Sequence, residues 1–269
     1  MTKTQWKSRD YAASLGKSNG LQCVTFSFLF LAADSNPFYE QTLIMKLTWL
    51  SHSTWLIETG EHRILVDPFL TENPTAPVKP DALDPISHIL ITHGHFDHVA
   101  DAAEIANKHS ATIVAIYETA NWFANKHGVE STLGMNLGGA TELPFGTVKM
   151  VPALHSNALP DGTYGGDPAG FVLTIDGKRI YLAGDTALFS DMRLHAHGVD
   201  IAVLPIGALF TMGVDDSVQA TNLIEPKVVL PTHYNTWPPI EQNAQAWAKK
   251  IETQTKAKPI VLKPGETWQ

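Results

Sequence analysis

The most informative stretch of the chain reads Ile89-Leu90-Ile91-Thr92-His93-Gly94-His95-Phe96-Asp97-His98. Its apolar start is typical of a buried β-strand, and the loop that follows holds three histidines and one aspartate. Such a cluster at the end of a buried strand is costly unless a cation binds it, and imidazole and carboxylate are natural Zn²⁺ ligands. His93 and His95 are two residues apart and point to one side of an extended chain, so they can bind one ion. Asp97 and His98, at the turn into the next helix, can face a neighbouring ion.

Composition limits the classes of function that this chain can serve. It has 269 residues, 44% of them hydrophobic, which indicates a globular protein. With 19 Lys+Arg against 27 Asp+Glu, the net charge is −8, so a broad nucleic-acid interface is not expected. The single cysteine, Cys23, excludes an intrachain disulfide and a cysteine-based metal cluster. The twelve histidines are unusual for an acidic protein.

Residues 1–44 differ from the rest of the chain. Basic residues precede a short apolar run from Val24 to Ala33, which faintly resembles an export signal but is too short to span a bilayer. Met45 opens directly onto a predicted strand. We therefore predict a dispensable extension over residues 1–44, a single domain over residues 45–269 and a cytoplasmic location. An export signal, or an ordered part of the fold, is the alternative for the extension.

From Met45 onward, short strands alternate with turns and amphipathic helices. Hairpins are predicted around Gly60 and around Asp176-Gly177, a turn that requires positive φ. Helices are predicted near Val99–His109, Glu118–Lys126, Asp215–Ile224 and Glu241–Thr253, and a last strand at Ile260–Leu262. This order predicts an α/β fold with helices on the outer faces of mixed sheets.

The His-x-His-x-Asp-His motif resembles the signature of the metallo-β-lactamase superfamily, and the resemblance runs from Met45 almost to the C-terminus. It implies a four-layer αβ/βα sandwich. It also requires three further ligands in order, each after a strand, and the sequence offers His155, Asp185 and His233. Within the superfamily the chain is most similar to small cytoplasmic metal-dependent hydrolases of the ascorbate-phosphate-lactonase-like branch. The segments that carry this similarity include Val66-Asp67-Pro68-Phe69 and His233-Tyr234-Asn235-Thr236-Trp237.

The resemblance implies a centre of two divalent ions, with Zn²⁺ as the first choice and Mn²⁺ or Fe as alternatives. It assigns His93, His95 and His155 to one ion, and Asp97, His98 and His233 to the other. Asp185 would bridge the two ions and stands where common β-lactamases use a cysteine, which argues against antibiotic hydrolysis. Hydroxide held between the ions would attack a small ester, lactone or thioester, and Asp97 could also carry a proton.

Five further residues are candidates for supporting or substrate-binding roles. Asp67 is expected to orient a ligand histidine, with a turn cap as the alternative. His52 is either a site contact or a hydrogen-bonded structural histidine. Tyr234 and Asn235 follow a ligand directly, and Thr211 lies in a loop that could line the pocket.

Other functions stay open at this point. Phosphodiester cleavage is the second enzyme class, although the acidic balance weighs against a nucleic acid. Two further alternatives are a non-hydrolytic di-iron protein and a metal-binding protein without enzymatic activity. We expect a small-molecule substrate and no membrane-spanning segment. Homo-oligomerisation stays open.

Overall fold

The computed structural model describes residues 45–269. The expectation that residues 1–44 form a dispensable extension, and Cys23 with it, lies outside the described residues. Two seven-stranded sheets form the centre of the fold. The strands of the first sheet are β1 Lys46–Trp49, β2 Trp55–Thr59, β3 His62–Val66, β4 His88–Leu90, β5 Thr112–Ile116, β6 Thr132–Met135 and the C-terminal β14 Thr267–Trp268. Their order across the sheet is β14-β1-β2-β3-β4-β5-β6.

The second sheet is built from the later part of the chain. Its strands are β7 Ala140–Leu143, β8 Gly146–Pro152, β9 Ala169–Ile175, β10 Lys178–Leu182, β11 Ile201–Pro205, β12 Val228–Thr232 and β13 Lys258–Pro259. They are ordered β13-β12-β11-β10-β9-β8-β7, so each sheet collects consecutive strands with few crossovers. Both sheets are mixed, with antiparallel hairpins on one side and parallel pairs on the other.

Helices cover the outer faces of the sheets. They are α1 Phe96–Val99, α2 Ala102–His109, α3 Tyr117–His127, α4 Met192–Ala196, α5 Val214–Ile224 and α6 Ala244–Gln254. Helices α2 and α3 pack on the first sheet through residues such as Ile105 and Phe123. Helices α4, α5 and α6 bring Met192, Val218 and Trp247 to the second sheet. The result is the predicted four-layer αβ/βα arrangement.

The main core lies between the two sheets. Trp55 and Ile64 from the first sheet pack in one buried cluster with Phe171 and Tyr181 from the second. Burial of this apolar surface is the main force that holds the sheets face to face. None of the helices within residues 45–269 is long and apolar enough to cross a membrane.

Strand direction decides where the functional loops lie. In the first sheet, β1 is antiparallel to β2, which is antiparallel to β3, and β3 and β4 are parallel. Strands β1, β3 and β4 therefore end at the same edge. In the second sheet the pairings make β8, β10, β11 and β12 run in one direction. The loops after these strands gather at the carboxyl ends, where ligand sites of α/β sheets are found.

Several predicted elements are confirmed, and two are wrong. The hairpin turn at Asp176-Gly177 has the expected positive φ at both residues, 50° and 72°. The helix predicted over Val99–His109 is interrupted, because the Asp101 side chain accepts hydrogen bonds from the amides of Leu70 and Thr71 instead of continuing one helix. The strand predicted at Ile260–Leu262 lies two residues earlier, as β13, where Lys258 pairs with Val228, and an unpredicted strand, β14, follows it.

Candidate metal centre

The seven predicted ligands lie in the loops after four strands and meet in one cluster. His93, His95, Asp97 and His98 follow β4, His155 follows β8, Asp185 follows β10 and His233 follows β12. The structure brings all seven together in three overlapping groups whose ligand atoms lie within 4.8 Å of one another. The cluster joins the first sheet to the second.

The first group consists of three imidazoles. Nδ1 of His95 lies 3.0 Å from Nε2 of His93 and 3.2 Å from Nε2 of His155. The Thr92 hydroxyl donates to Asp67 and so can accept from Nδ1 of His93, 3.1 Å away, which leaves Nε2 of His93 free as an acceptor. This convergence of ring nitrogens suits a cation.

The second group combines one carboxylate with imidazoles. Oδ2 of Asp97 lies 3.6 Å from Nε2 of His233 and 3.9 Å from Nε2 of His98. His52 belongs to the same group. Asp97 is partly open to solvent, with 22% of its side chain exposed, whereas the imidazoles of this group are buried.

Asp185 lies between the two groups. Its Oδ2 atom is 3.0 Å from Nε2 of His233, 3.4 Å from Nε2 of His98 and 3.7 Å from Nε2 of His155. Only 3% of the side chain is exposed. The preceding residue, Gly184, has φ +63°, and a Cβ there would lie 2.8 Å from the Ala169 carbonyl oxygen. A larger residue at position 184 would therefore displace the loop that carries Asp185.

Asp67 holds His98 in place. Its Oδ2 atom accepts from Nδ1 of His98 at 2.9 Å and from the Thr92 hydroxyl at 2.6 Å, while Oδ1 accepts from the Thr92 amide at 2.8 Å. With Nδ1 carrying the hydrogen, Nε2 of His98 faces Asp185 as a potential ligand. This is how carboxylates orient metal-binding histidines in general.

His52 lies inside the cluster rather than at its mouth. It is completely buried, with Nε2 3.0 Å from Oδ2 of Asp97 and Nδ1 2.8 Å from the hydroxyl of Thr236. Its carbonyl oxygen accepts three hydrogen bonds, from Trp49 Nε1, the Thr232 hydroxyl and the His233 amide. His52 therefore ties the β1–β2 loop to the end of β12.

Three polar site residues have backbone angles in the left-handed region: His52 at φ 53°, Asp67 at φ 43° and His233 at φ 53°. Residues other than glycine adopt this region at a cost of the order of 1 kcal/mol or more. The carbonyl hydrogen bonds of His52, and the bond from the Thr54 hydroxyl to the Asp67 carbonyl, hold two of them there. The strained backbone of these loops therefore directs the three side chains toward the site.

Gly94 is required for the space around it and not for a left-handed backbone. It is not among the residues with positive φ. Instead, a Cβ at this position would lie 2.6 Å from Cδ2 of Leu159 and 3.0 Å from Oδ1 of Asn157, which accepts from the Gly94 amide. Glycine is needed here because the loop after β8 packs directly against the motif.

The ionisable groups of the cluster strongly influence one another. Burial opposes ionisation of Asp97 and Asp185, but the neighbouring histidines outweigh it and hold the pKa of both carboxyls below the usual range. Burial likewise opposes protonation of His98 and His233, but the carboxylates raise the pKa of His98 and raise that of His233 to about 9. Burial and the neighbouring histidines lower the pKa of His93, because Asp185 is the one carboxylate that acts in the opposite direction. The carboxylates thus attract positive charge.

Two observations show that the residues present fit a bound cation. Nε2 of His98 and Oδ1 of Asp185 are buried without a hydrogen-bond partner, although both belong to the cluster. Buried polar atoms are normally satisfied, so atoms left over in a ring of imidazoles and carboxylates indicate a missing partner. The donor set of nitrogen and carboxylate oxygen is that of Zn²⁺ and related divalent ions.

The structure does not bring the remaining predicted residues into the cluster. Tyr234 stacks on Trp49 with ring centroids 5.1 Å apart, and both face an open cavity of about 710 Å³ on another side of the loop. Asn235 lines the same cavity and accepts from the Gln242 amide. The Thr211 hydroxyl donates to the Met212 carbonyl within its own loop.

Sequence analysis missed three polar residues that support the site. Thr92 precedes the motif and bonds to Asp67, Asn157 holds the Gly94 amide, and Thr236 bonds to His52. Thr92 and Thr236 lie within three residues of ligands, which is a usable signal. Asn157 lies two residues after His155 and carries the same signal, although its bond to Gly94 joins loops that are distant in the chain.

Comparison with known proteins agrees with this geometry. A family model described as a β-lactamase superfamily domain matches residues 62–234, the span from the second hairpin to just beyond the last ligand. The chain belongs to this superfamily. It is 46% identical over 227 residues to a UPF0173 metal-dependent hydrolase of Pyrococcus abyssi, covering 83% of this chain and 98% of the relative. A UPF0173 metal-dependent hydrolase of Thermus thermophilus is 46% identical over 224 residues, with 83% and 98% covered.

A solved structure extends the agreement to three dimensions. Igni18, a metallo hydrolase from Ignicoccus hospitalis, superposes with a TM-score of 0.75 at 34% identity, over 84% of this chain and 98% of Igni18. These findings confirm the expected superfamily and the sandwich fold. The protein is a metal-dependent hydrolase.

Proposed function

We propose that this hydrolase cleaves a small ester, lactone or thioester by direct attack of water at a centre of two divalent ions, with Zn²⁺ as the first candidate. The observation that carries the proposal is the position of Asp185. One oxygen of this carboxylate faces His155 of the first group and both His98 and His233 of the second. A shared carboxylate between two complete ligand groups is the arrangement that a two-ion centre requires.

The residues of the cluster have distinct roles in this proposal. His93, His95 and His155 would hold one ion, Asp97, His98 and His233 the other, and Asp185 both. When bound, two such ions lower the pKa of water toward neutrality and polarise the carbonyl oxygen of a substrate. Asp97 is the more exposed of the two carboxylates and lies on the solvent side, so it is placed to accept and return a proton during turnover.

A serine close to the cluster needs separate attention because it could act as a nucleophile. The Ser156 hydroxyl lies 3.3 Å from Nε2 of His95. However, His95 turns Nδ1 toward the cluster, and an imidazole that binds an ion through Nδ1 carries its hydrogen on Nε2. Such a ring donates to Ser156 and has no free lone pair with which to activate its hydroxyl. This supports water rather than Ser156 as the nucleophile.

A single-turnover reaction in ¹⁸O-water tests the proposal. With a carbonyl substrate, one label should enter the product acid in the first turnover, activity should vanish with a chelator, and Zn²⁺ or Mn²⁺ should restore it. Ser156→Ala should retain most of the activity. An unlabelled first product, a trapped acyl-enzyme, or cleavage of phosphodiesters alone would contradict the proposal.

A further inference from the structure

The segments around the metal centre lack positively charged side chains. Residues 50–54, 67–75, 92–101, 153–168, 183–190, 206–213 and 232–240 contain neither lysine nor arginine, although the chain has 19 of them. Within residues 45–269, no lysine or arginine forms an ion pair with Asp97 or Asp185. A substrate that carries several phosphates would meet carboxylates here and no basic side chain of these segments.

The same segments expose apolar side chains instead. Seven large hydrophobic residues within residues 45–269 are exposed, and five of them belong to these segments. We call these five the apolar rim: Phe96, Leu154, Tyr164, Leu209 and Phe210. Leu209 is 67% exposed and Phe210 57% exposed. Exposed apolar side chains on the segments that carry the ligands form a candidate binding surface for an apolar group.

Backbone connections tie the apolar rim to the ligands. Phe96 lies between His95 and Asp97 in the chain, and Leu154 precedes His155. The Leu154 amide donates to the hydroxyl of Thr186, the residue after Asp185, at 3.0 Å. The Met212 amide donates to the Thr186 carbonyl at 2.9 Å, which anchors the turn that carries Leu209 and Phe210.

Aromatic contacts continue the apolar surface inward. The Phe96 ring packs edge-on against Phe69 with centroids 5.5 Å apart, and Phe69 lies 5.7 Å from Trp237. Trp237 in turn lies 5.1 Å from the ring of His52, which contacts Asp97. Because Phe69 is completely buried, these rings connect Phe96 with the metal centre through packing inside the protein.

We infer that the substrate carries an uncharged apolar group, an alkyl chain or an aryl ring, next to the carbonyl carbon of its scissile bond. This group binds on the apolar rim. The inference rests on the proposed function and specifies its substrate class. Burial of an apolar group against these side chains stabilises the complex, while the lack of lysine and arginine in these segments disfavours substrates that carry several phosphates.

The test compares p-nitrophenyl esters from acetate to octanoate, with bis-p-nitrophenyl phosphate alongside, on the metal-loaded enzyme. We expect kcat/KM to rise about two- to fourfold per added methylene over the first few members of the series. The double variant Leu209→Ser/Phe210→Ser should flatten this dependence at unchanged metal content. Leu194→Ser, at a 79% exposed position on α4 outside these segments, is the matched control and should keep it.

The outcomes separate this inference from the proposed function. The inference would be overturned if kcat/KM did not depend on the acyl chain length, or if this dependence persisted in the double variant. Neither result would contradict the proposed function. Hydrolysis of the phosphodiester with no ester turnover would overturn the proposed function itself. A dimer in sedimentation that the double variant dissociates, with the chain-length slope intact, would show that a second copy occupies the apolar rim and would also overturn the inference.

Discussion

Nε2 of His52 donates to Oδ2 of Asp97 at 3.0 Å, and Nδ1 of His52 accepts from the Thr236 hydroxyl at 2.8 Å. Burial, reinforced by His233, lowers the pKa of His52 to about 4, so the ring is neutral near pH 7. A neutral ring has one N–H, and the Asp97 carboxylate fixes it on Nε2. The pair therefore holds Asp97 in one orientation toward the cluster.

Removal of this support should weaken the centre without unfolding the chain. We expect His52→Ala to lower kcat/KM about 10- to 100-fold and to weaken binding of one ion, as loss of an orienting partner generally does. Thr236→Val should act in the same direction with a smaller effect. Metal titration and steady-state kinetics would measure both, with His195→Ala on α4 as the control. Unchanged metal affinity in His52→Ala would refute a positioning role.

Asp185→Asn tests the bridging position. The substitution keeps the shape of the side chain but removes the negative charge that faces three histidines. We expect metal content below two ions per chain and a loss of turnover by orders of magnitude. Elemental analysis would compare the variant with Asp216→Asn, which changes an exposed aspartate on α5. Two bound ions and full activity in Asp185→Asn would rule out the assignment.

Metal binding should release protons. The carboxylates raise the pKa of His98, which favours its protonated form, and they raise that of His233 to about 9, so this ring carries a proton at pH 7 in the metal-free protein. A bound cation must displace these protons, so its apparent affinity should increase as the pH rises from 6 to 8. Calorimetry in buffers of different ionisation enthalpy would count the protons. A binding enthalpy independent of buffer would contradict this expectation.

A chain that begins at Met45 should fold and bind metal like the full chain. Every proposed ligand, and every strand of both sheets, lies at or beyond Lys46. Thermal unfolding, metal content and kcat/KM of the shortened and full chains should agree within error. Insoluble protein or a Tm lower by several degrees would show that residues 1–44 contribute to the fold.

Local patterns were sufficient to predict much of this molecule. The apolar run before His93 and the Asp176-Gly177 turn predict their strand and hairpin because period and φ preference are properties of neighbouring residues. Resemblance added the order of His155, Asp185 and His233. Neither could place Tyr234, which stacks on Trp49 and does not join the cluster. Nor could they find the bond between Asn157 and Gly94, which joins two distant loops.

The division of the cluster between two sheets has a consequence for biosynthesis. As the ribosome releases the chain from its N-terminus, the residues from His93 to His98 appear early and His233 appears near the end. Until β12 has joined its sheet and the His233 amide has bonded to the His52 carbonyl, no nascent chain can present a complete set of ligands. Tight metal binding is therefore expected only in the finished protein, where an ion would connect residues of the two sheets.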